Sequence, residues 1–197
     1  MKQSLSFLLL VFLVSSSCQQ IKQMVNFTQC EFRTQSVENT NLAGVNVQQI
    51  QRVSDLSFLD AGKLVTAYAR GTMPLSMTLN LDVKNPNAST AAMNSLEWIL
   101  LIEDKELVNG VVNDRVSIAP GGGTVTMPIR INADLRKIMA KNSRDENLNM
   151  AFGLVGEGNK PSKKLSIKVK PSIMIGSAVI RYPGYITVGT NFGTGSN

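Results

Sequence analysis

There is no histidine in the 197 residues. Its absence removes the commonest general base, the side chain that titrates near neutral pH and the usual zinc ligand, and with them most hydrolase and metal-site templates. Cysteine is nearly absent too: Cys18 and Cys30 are too few for a zinc site or a disulfide framework. A bond between the two stays open only if Cys18 is not otherwise modified; if it is, Cys30 is a lone thiol in the apolar-flanked stretch 25–32, suited to a buried structural role. Aromatic residues make up 6%, so Leu, Ile, Val and Met must form the core, and 43% hydrophobic against 17% charged residues suits a folded chain of one domain. Beyond residue 14 the longest apolar run is 98–102, five residues, against the ~20 a membrane-crossing helix needs.

Acids are missing from one end. Residues 1–157 hold fourteen Lys and Arg and fourteen Asp and Glu, so the net charge of +6 comes entirely from Lys160, Lys163, Lys164, Lys168, Lys170 and Arg181. An acidic partner would be met there; a solvated basic face is the plainer expectation.

What is present at the start is an export signal. Lys2 opens it, residues 5–14 are apolar apart from Ser6, and Ser15-Ser16-Ser17-Cys18 follows. The layout resembles bacterial lipoprotein signals, in which small residues precede a cysteine that is acylated and becomes the new N-terminus. It departs from them in having Ser15, not an aliphatic residue, three positions before the Cys, which leaves cleavage after Ser17 and release of a soluble protein as the other reading. The resemblance implies a signal peptide at 1–17, lipidation of Cys18 and anchoring by two or three acyl chains. The following Gln19-Gln20-Ile21-Lys22-Gln23 has no acid, so it carries no acidic retention or surface-export signal. The expected place is the cell envelope, at the periplasmic face of an outer membrane.

The strongest period is two. Met73, Leu75, Met77, Leu79, Leu81 and Val83 alternate with Pro or polar residues, which predicts a half-buried strand with Leu79 inside and Asn80 outside, indifferent to change. Asn85-Pro86-Asn87 ends it as a turn. Residues 96–103, with the sole tryptophan Trp98, read as a more buried strand, and Gly110 as a break. Strands at 116–118, 125–131 and 165–170 follow, then a Gly176-Ser177 hairpin turn and a return over 179–188; 27–32 and 45–53 are weaker strands. Helices are expected where Ser57 caps residues 57–70 with Asp60 three on and Ala61, Leu64, Val65 and Tyr68 at helical spacing, where Asn132 caps Leu135, Ile138 and Met139, and at 146–155. About seven short strands with two or three short connecting helices predict a mainly β protein, an antiparallel β-sandwich.

The ordered set of Leu79-Asn-Leu81-Asp-Val83-Lys-Asn85-Pro86-Asn87, a Trp-bearing strand, Gly110, a Pro-Gly turn and residues 125–131 resembles the late embryogenesis abundant type 2 proteins, whose water-stress and hypersensitive-response domain looks like an immunoglobulin or fibronectin III sandwich. Residues 165–188, with Tyr182-Pro183-Gly184-Tyr185, look like the closing hairpin of lipoprotein members. The resemblance covers 37–192, leaving 18–36 as lipidated N-terminus and first strand and 193–197 as a tail. It implies a structural role for Asn85, Pro86 and Asn87, stress tolerance as the association, and no catalytic residue. The segment 57–70 is an addition to the simplest members, to serve a partner or to cover the sheet.

Other motifs fail on spacing. Gly153 to Lys160 has Asn159 between Gly158 and the lysine and lacks the Ser or Thr of a phosphate loop. Gly121 to Gly123 reads as a turn. Glu103, Asp104 and Glu106 enclose Lys105 and lack the spacing of a calcium loop, so they read as a solvated hairpin tip. The tripeptides Asn26-Phe27-Thr28 and Asn87-Ala88-Ser89 fit a glycosylation acceptor but are taken as coincidence. Aromatic and basic residues around Tyr182 make no nucleic-acid signature. The expectation is a non-catalytic, lipid-anchored envelope protein without cofactor or metal, structural, stress-protective or adaptor in role; the alternative is a module binding an acidic envelope glycan or an outer-membrane protein assembly. Alternation places Lys168 and Lys170 on one outward side, and Lys163 and Lys164 extend it into a patch that would meet an anionic surface or guard a sheet edge.

Overall fold

The alternation around Leu79 forms one of three twelve-residue strands that build a single sheet. The computed structural model describes residues 18–48, 50, 55–102, 104–139, 165–189 and 193–194. The leader, the expected helix at 146–155, the Gly-rich loop 153–160, Glu103, Lys163 and Lys164 lie outside these residues. In chain order the elements are α1 (residues 18–28), β1 (Glu31–Leu42), β2 (Val45–Asn46), α2 (Phe58–Ala69), β3 (Pro74–Asn85), β4 (Ala91–Met93), β5 (Ser95–Ile102), β6 (Lys105–Val112), β7 (Val116–Ile118), β8 (Gly123–Asp134), α3 (Leu135–Met139), β9 (Leu165–Ile175), β10 (Ala178–Arg181), β11 (Ile186–Val188) and β12 (Gly193–Thr194).

One sheet runs β12-β1-β3-β8, with β2 pairing the end of β1. The other runs β10-β9-β5-β6, with β11 also on β9, and β4 and β7 form a small ribbon. All pairings are antiparallel. The principal strands thus divide as first, second and fifth against third, fourth, sixth and last, the immunoglobulin and fibronectin III arrangement of an antiparallel β-sandwich. The odd residues of β3 point inward: Met77, Leu79 and Leu81 lie opposite Ile131, Ile129 and Met127 of β8. They meet Leu96, Trp98 and Leu100 of β5 and Ile167 and Val169 of β9 in one core. Fully burying each such aliphatic side chain contributes roughly 1.5–3 kcal/mol. Pro128 is tolerated in β8 because that strand is outermost in its sheet.

Several expectations give way to the fold. Gly110 does not break the chain; it lies within β6 opposite Trp98, where a Cβ would sit 2.5 Å from the indole Cζ2, so its bareness makes room for the ring. The segment 27–32 is not one strand: residues 27 and 28 close a helix, and β1 starts at Glu31. The division at residue 37 therefore falls inside β1, and Gly193 and Thr194 are not a free tail but pair with Phe32 and Glu31. The strand at 45–53 shrinks to Val45–Asn46. There β1 kinks at Asn39 (φ 55), and the Gln48 side chain replaces ladder bonds, donating to Val37 O at 2.7 Å and accepting from Thr40 N at 3.1 Å. Residues 51–54 are outside the description.

At α3 the cap is Asp134, accepting from Arg136 N at 3.1 Å, not Asn132, because β8 continues through that position. In α2 Ser57 caps as its sequence foretells, accepting from Asp60 N at 3.1 Å, but no α2 residue is buried. Asp104, at φ 64, lies in the β5–β6 hairpin, where Ile102 pairs with Lys105. Gly176, at φ 61, opens the two-residue turn that joins β9 to β10.

Candidate functional site at the α1 pole

β3 runs from one end of the sandwich to the other, about 37 Å for twelve residues. Its last residue, Asn85, lies at the end where α1 packs, and α2 and α3 lie at the opposite end. The inward face of α1 is Gln20, Gln23, Met24 and Phe27, a spacing of three, four and seven. Met24 and Phe27 are buried, and the Phe27 ring meets Phe32 edge-on at 5.7 Å between centroids. Cys18, Gln19, Ile21, Lys22 and Val25 face outward. From Cys18 to Met24 is six residues, about 9 Å along the helix axis.

The Asn-Pro-Asn turn locks α1 in place. Asn85 has no exposed surface. Its amide donates to Ser89 O, Ile118 O and Ala119 O at 3.0 to 3.1 Å, and its Oδ1 accepts from the Asn87 N and Nδ2. Asn87 Nδ2 also reaches Asn26 O at 2.9 Å, and Asn26 Nδ2 donates to Thr90 O at 3.0 Å. Pro86 fits between because no N–H is required of it. Asn85 ties the end of β3 to the end of β7, and Asn87 ties both to the helix. Both glycosylation tripeptides thus have their asparagine amide engaged in this network.

Two clefts flank α1. One, about 340 Å³, lies between Gln19, Lys22, Asn26 and the turn at Ala88 to Thr90. The other, about 120 Å³, sets Gln20 and Gln23 against Met93, Arg115 and Met174. Cys30 closes the base of α1, its thiol donating to Asn26 O at 3.4 Å. Burial, reinforced by the neighbouring Glu31 carboxylate, pushes that thiol up to about 12, so it is protonated at neutral pH and is a poor nucleophile. Neither Cys18 nor Cys30 is in a disulfide. Among the described residues, no three Cys, Asp or Glu side chains gather as a metal site, and no helix is long and apolar enough to cross a membrane.

The basic residues are distributed differently from the sequence expectation. Lys168 and Lys170 do share the outer side of β9, but β9 lies between β5 and the β10–β11 pair, so they guard no edge. Pairing across the sheet sets Lys170 opposite Glu97, and Glu97 accepts from Arg181 Nε at 2.6 Å. Lys170 also lies 5.3 Å over the Tyr185 ring, which fixes the Tyr182–Tyr185 bend to the sheet. A second polar array crosses the outer face of the other sheet: the nearly buried Asp82 bridges Arg33 at 2.5 Å and Thr126 at 2.7 Å, and Asn80 donates to Ser36 Oγ and Glu38 Oε1. Asn80 is therefore engaged, not indifferent.

Sequence reasoning missed the docking of α1. The signal was available in the helical spacing of Gln20, Met24 and Phe27 within a Gln-rich stretch of good helix formers.

No family model and no curated protein matches the chain. Among solved structures it is similar to a crystal structure of a protein from Archaeoglobus fulgidus, with 15% identity and a TM-score of 0.33, over 60% of this chain and 86% of that one.

Proposed function

We propose that this chain is a non-catalytic envelope protein held on a membrane by acyl groups on Cys18, at the periplasmic face of an outer membrane, with a structural, stress-protective or adaptor role. The observation that carries this reading is the placing of Cys18: it is exposed six residues before Met24 on a helix whose Met24, Asn26 and Phe27 are buried and which is tied to the sandwich by Asn26 and Asn87. An acyl-bearing Cys18 would hold the domain directly against the bilayer, with no linker between. The apolar run and small residues before Cys18 supply the signal for its processing. The resemblance to the late embryogenesis abundant type 2 proteins, through the Asn85-Pro86-Asn87 strand end, adds stress protection to the reading.

Replacing Cys18 by Ser is expected to abolish fatty-acid labelling and move the protein from the membrane to the soluble fraction. Unchanged membrane retention refutes the anchor. Turnover of an envelope substrate, lost on changing one polar side chain, would refute the non-catalytic reading.

Binding to a protein assembly, the second reading, is favoured over an acidic glycan by α2. Phe58 (93% exposed), Leu59, Val65 and Tyr68 stand out from it at the pole away from Cys18, and such unburied apolar side chains suit a protein surface.

A further inference from the structure

We infer that the β9–β10 hairpin is a second membrane contact, its apolar tip lying in the headgroup–acyl boundary of the bilayer that carries the protein. This rests on the proposed acylation of Cys18. β10 is the outermost strand of its sheet, and all four of its residues are exposed. Three of them, Ala178, Val179 and Ile180, are apolar, and Val179 pairs with Met174, which is also exposed. The core gains nothing from these side chains, and an apolar edge strand left open to water invites pairing with other chains.

The position of the hairpin names what covers it. Met174 lines the same cleft as Gln20 and Gln23 of α1, so the tip stands at the pole where Cys18 is exposed. Ile21 and Val25, 41% and 42% exposed on the outer side of α1, add apolar surface to the same helix. The hairpin is tied to its surroundings at both ends: Met174 N donates to Asn94 Oδ1 at 3.0 Å, and Tyr182 N to Pro171 O at 3.0 Å. Lys22 and Arg115 present cations beside α1, but exposed Asp114 adjoins Arg115, so apolar contact outweighs charge. Among the described residues no strand pairs with the outer edge of β10, and that edge needs water or headgroups, which excludes the hydrocarbon centre and limits the tip to a shallow depth.

The test uses the full acylated chain in vesicles of phosphatidylethanolamine and phosphatidylglycerol, with Val179→Cys or, on α2, Val65→Cys carrying an environment-sensitive NBD fluorophore. Both positions are exposed, and buried Cys30 stays unlabelled. Expected is a blue shift and quenching at 179 by nitroxides high on the acyl chain, weaker quenching by nitroxides near its end, and neither effect at 65. An unquenched 179 on acylated, membrane-bound protein overturns the proposal and leaves the anchor standing. Equal quenching at 179 and 65 overturns it as well. If fatty-acid labelling of Cys18 fails, the anchor falls separately; the same chain with Cys18→Ser, so that 179 alone carries the fluorophore, mixed with vesicles then decides, shallow quenching at 179 upholding the hairpin contact and its absence overturning it. A blue shift at 179 without vesicles, accompanied by a doubled mass, shows a second copy on the β10 edge and overturns it.

Discussion

Truncating Asn85 to Ala removes one amide and leaves the carbonyls of Ser89, Ile118 and Ala119 and the N–H of Asn87 without that partner. At a site with no exposed surface, water cannot replace it without opening the pole. Each orphaned buried group costs roughly 1–3 kcal/mol, carbonyls less because they keep a second lone pair, so the total is about 3–5 kcal/mol. For a domain of this size the melting temperature falls by roughly 10 °C. Asn85→Asp separates bonding from volume: it keeps the size and the acceptor toward Asn87 but sets an oxygen against three carbonyl oxygens, so it is expected to lose at least as much. Asn87→Ala, which gives up the link to Asn26, is expected to cost about 1 kcal/mol and to loosen α1 while leaving the sheets intact. Thermal and urea unfolding measure all three. A loss below about 1 kcal/mol for Asn85→Ala, or wild-type stability for Asn85→Asp at neutral pH, refutes Asn85 as the tie between β3 and β7.

Gly110→Ala forces a methyl onto Trp98 and is expected to cost about 1–3 kcal/mol, with a shifted Trp98 emission band; unchanged stability and emission refute the close approach. Leu79→Asp buries an unpaired charge and is expected to cost more than about 4 kcal/mol, while Asn80→Asp, which turns a donor to Ser36 and Glu38 into a carboxylate facing Glu38, costs about 1 kcal/mol; equal melting shifts refute the register. Cys30 is expected to resist alkylation at pH 8 until the protein unfolds, and labelling of the native state at the rate of a free thiol refutes its burial. Because its folded value is raised from 9.0 to about 12, the stability that Cys30 lends is full below pH 9 and is lost as pH rises toward 12, which unfolding curves across that range check.

Elements with a period of two were legible because one face of a strand must be buried whatever lies on the other side. Leu79, Ile129 and Ile167 could be placed inward from their neighbours alone. Ser57 and Asp60 likewise mark the start of α2 locally, since a cap depends on backbone three residues away and on nothing more distant. The Asn85-Pro86-Asn87 turn was legible as a turn; its three buried carbonyl partners were not, because they come from a loop four residues on and from the end of β7.

Tertiary structure decided what depends on the neighbour across the sheet. Gly110 reads as a break in sequence, yet in the fold it faces an indole. Arg181 has no acid near it in the chain, yet Glu97 comes within 2.6 Å when β5, β9 and β10 pair. The lysines of β9 suggested an edge because period and charge do not reveal strand order. α1 and α2 make the same point from opposite sides: both have apolar residues at helical spacing, but Phe27 of α1 found the core and the apolar residues of α2 stayed in solvent. The sequence by itself determined the alternating strands around Leu79, Ile129 and Ile167, which of their faces is apolar, and the capped start of α2, since these follow from backbone geometry and side-chain period. The packing of two sheets decided which apolar surfaces are covered, which charges meet and which residues are left exposed, because those contacts join positions 38 to 163 residues apart.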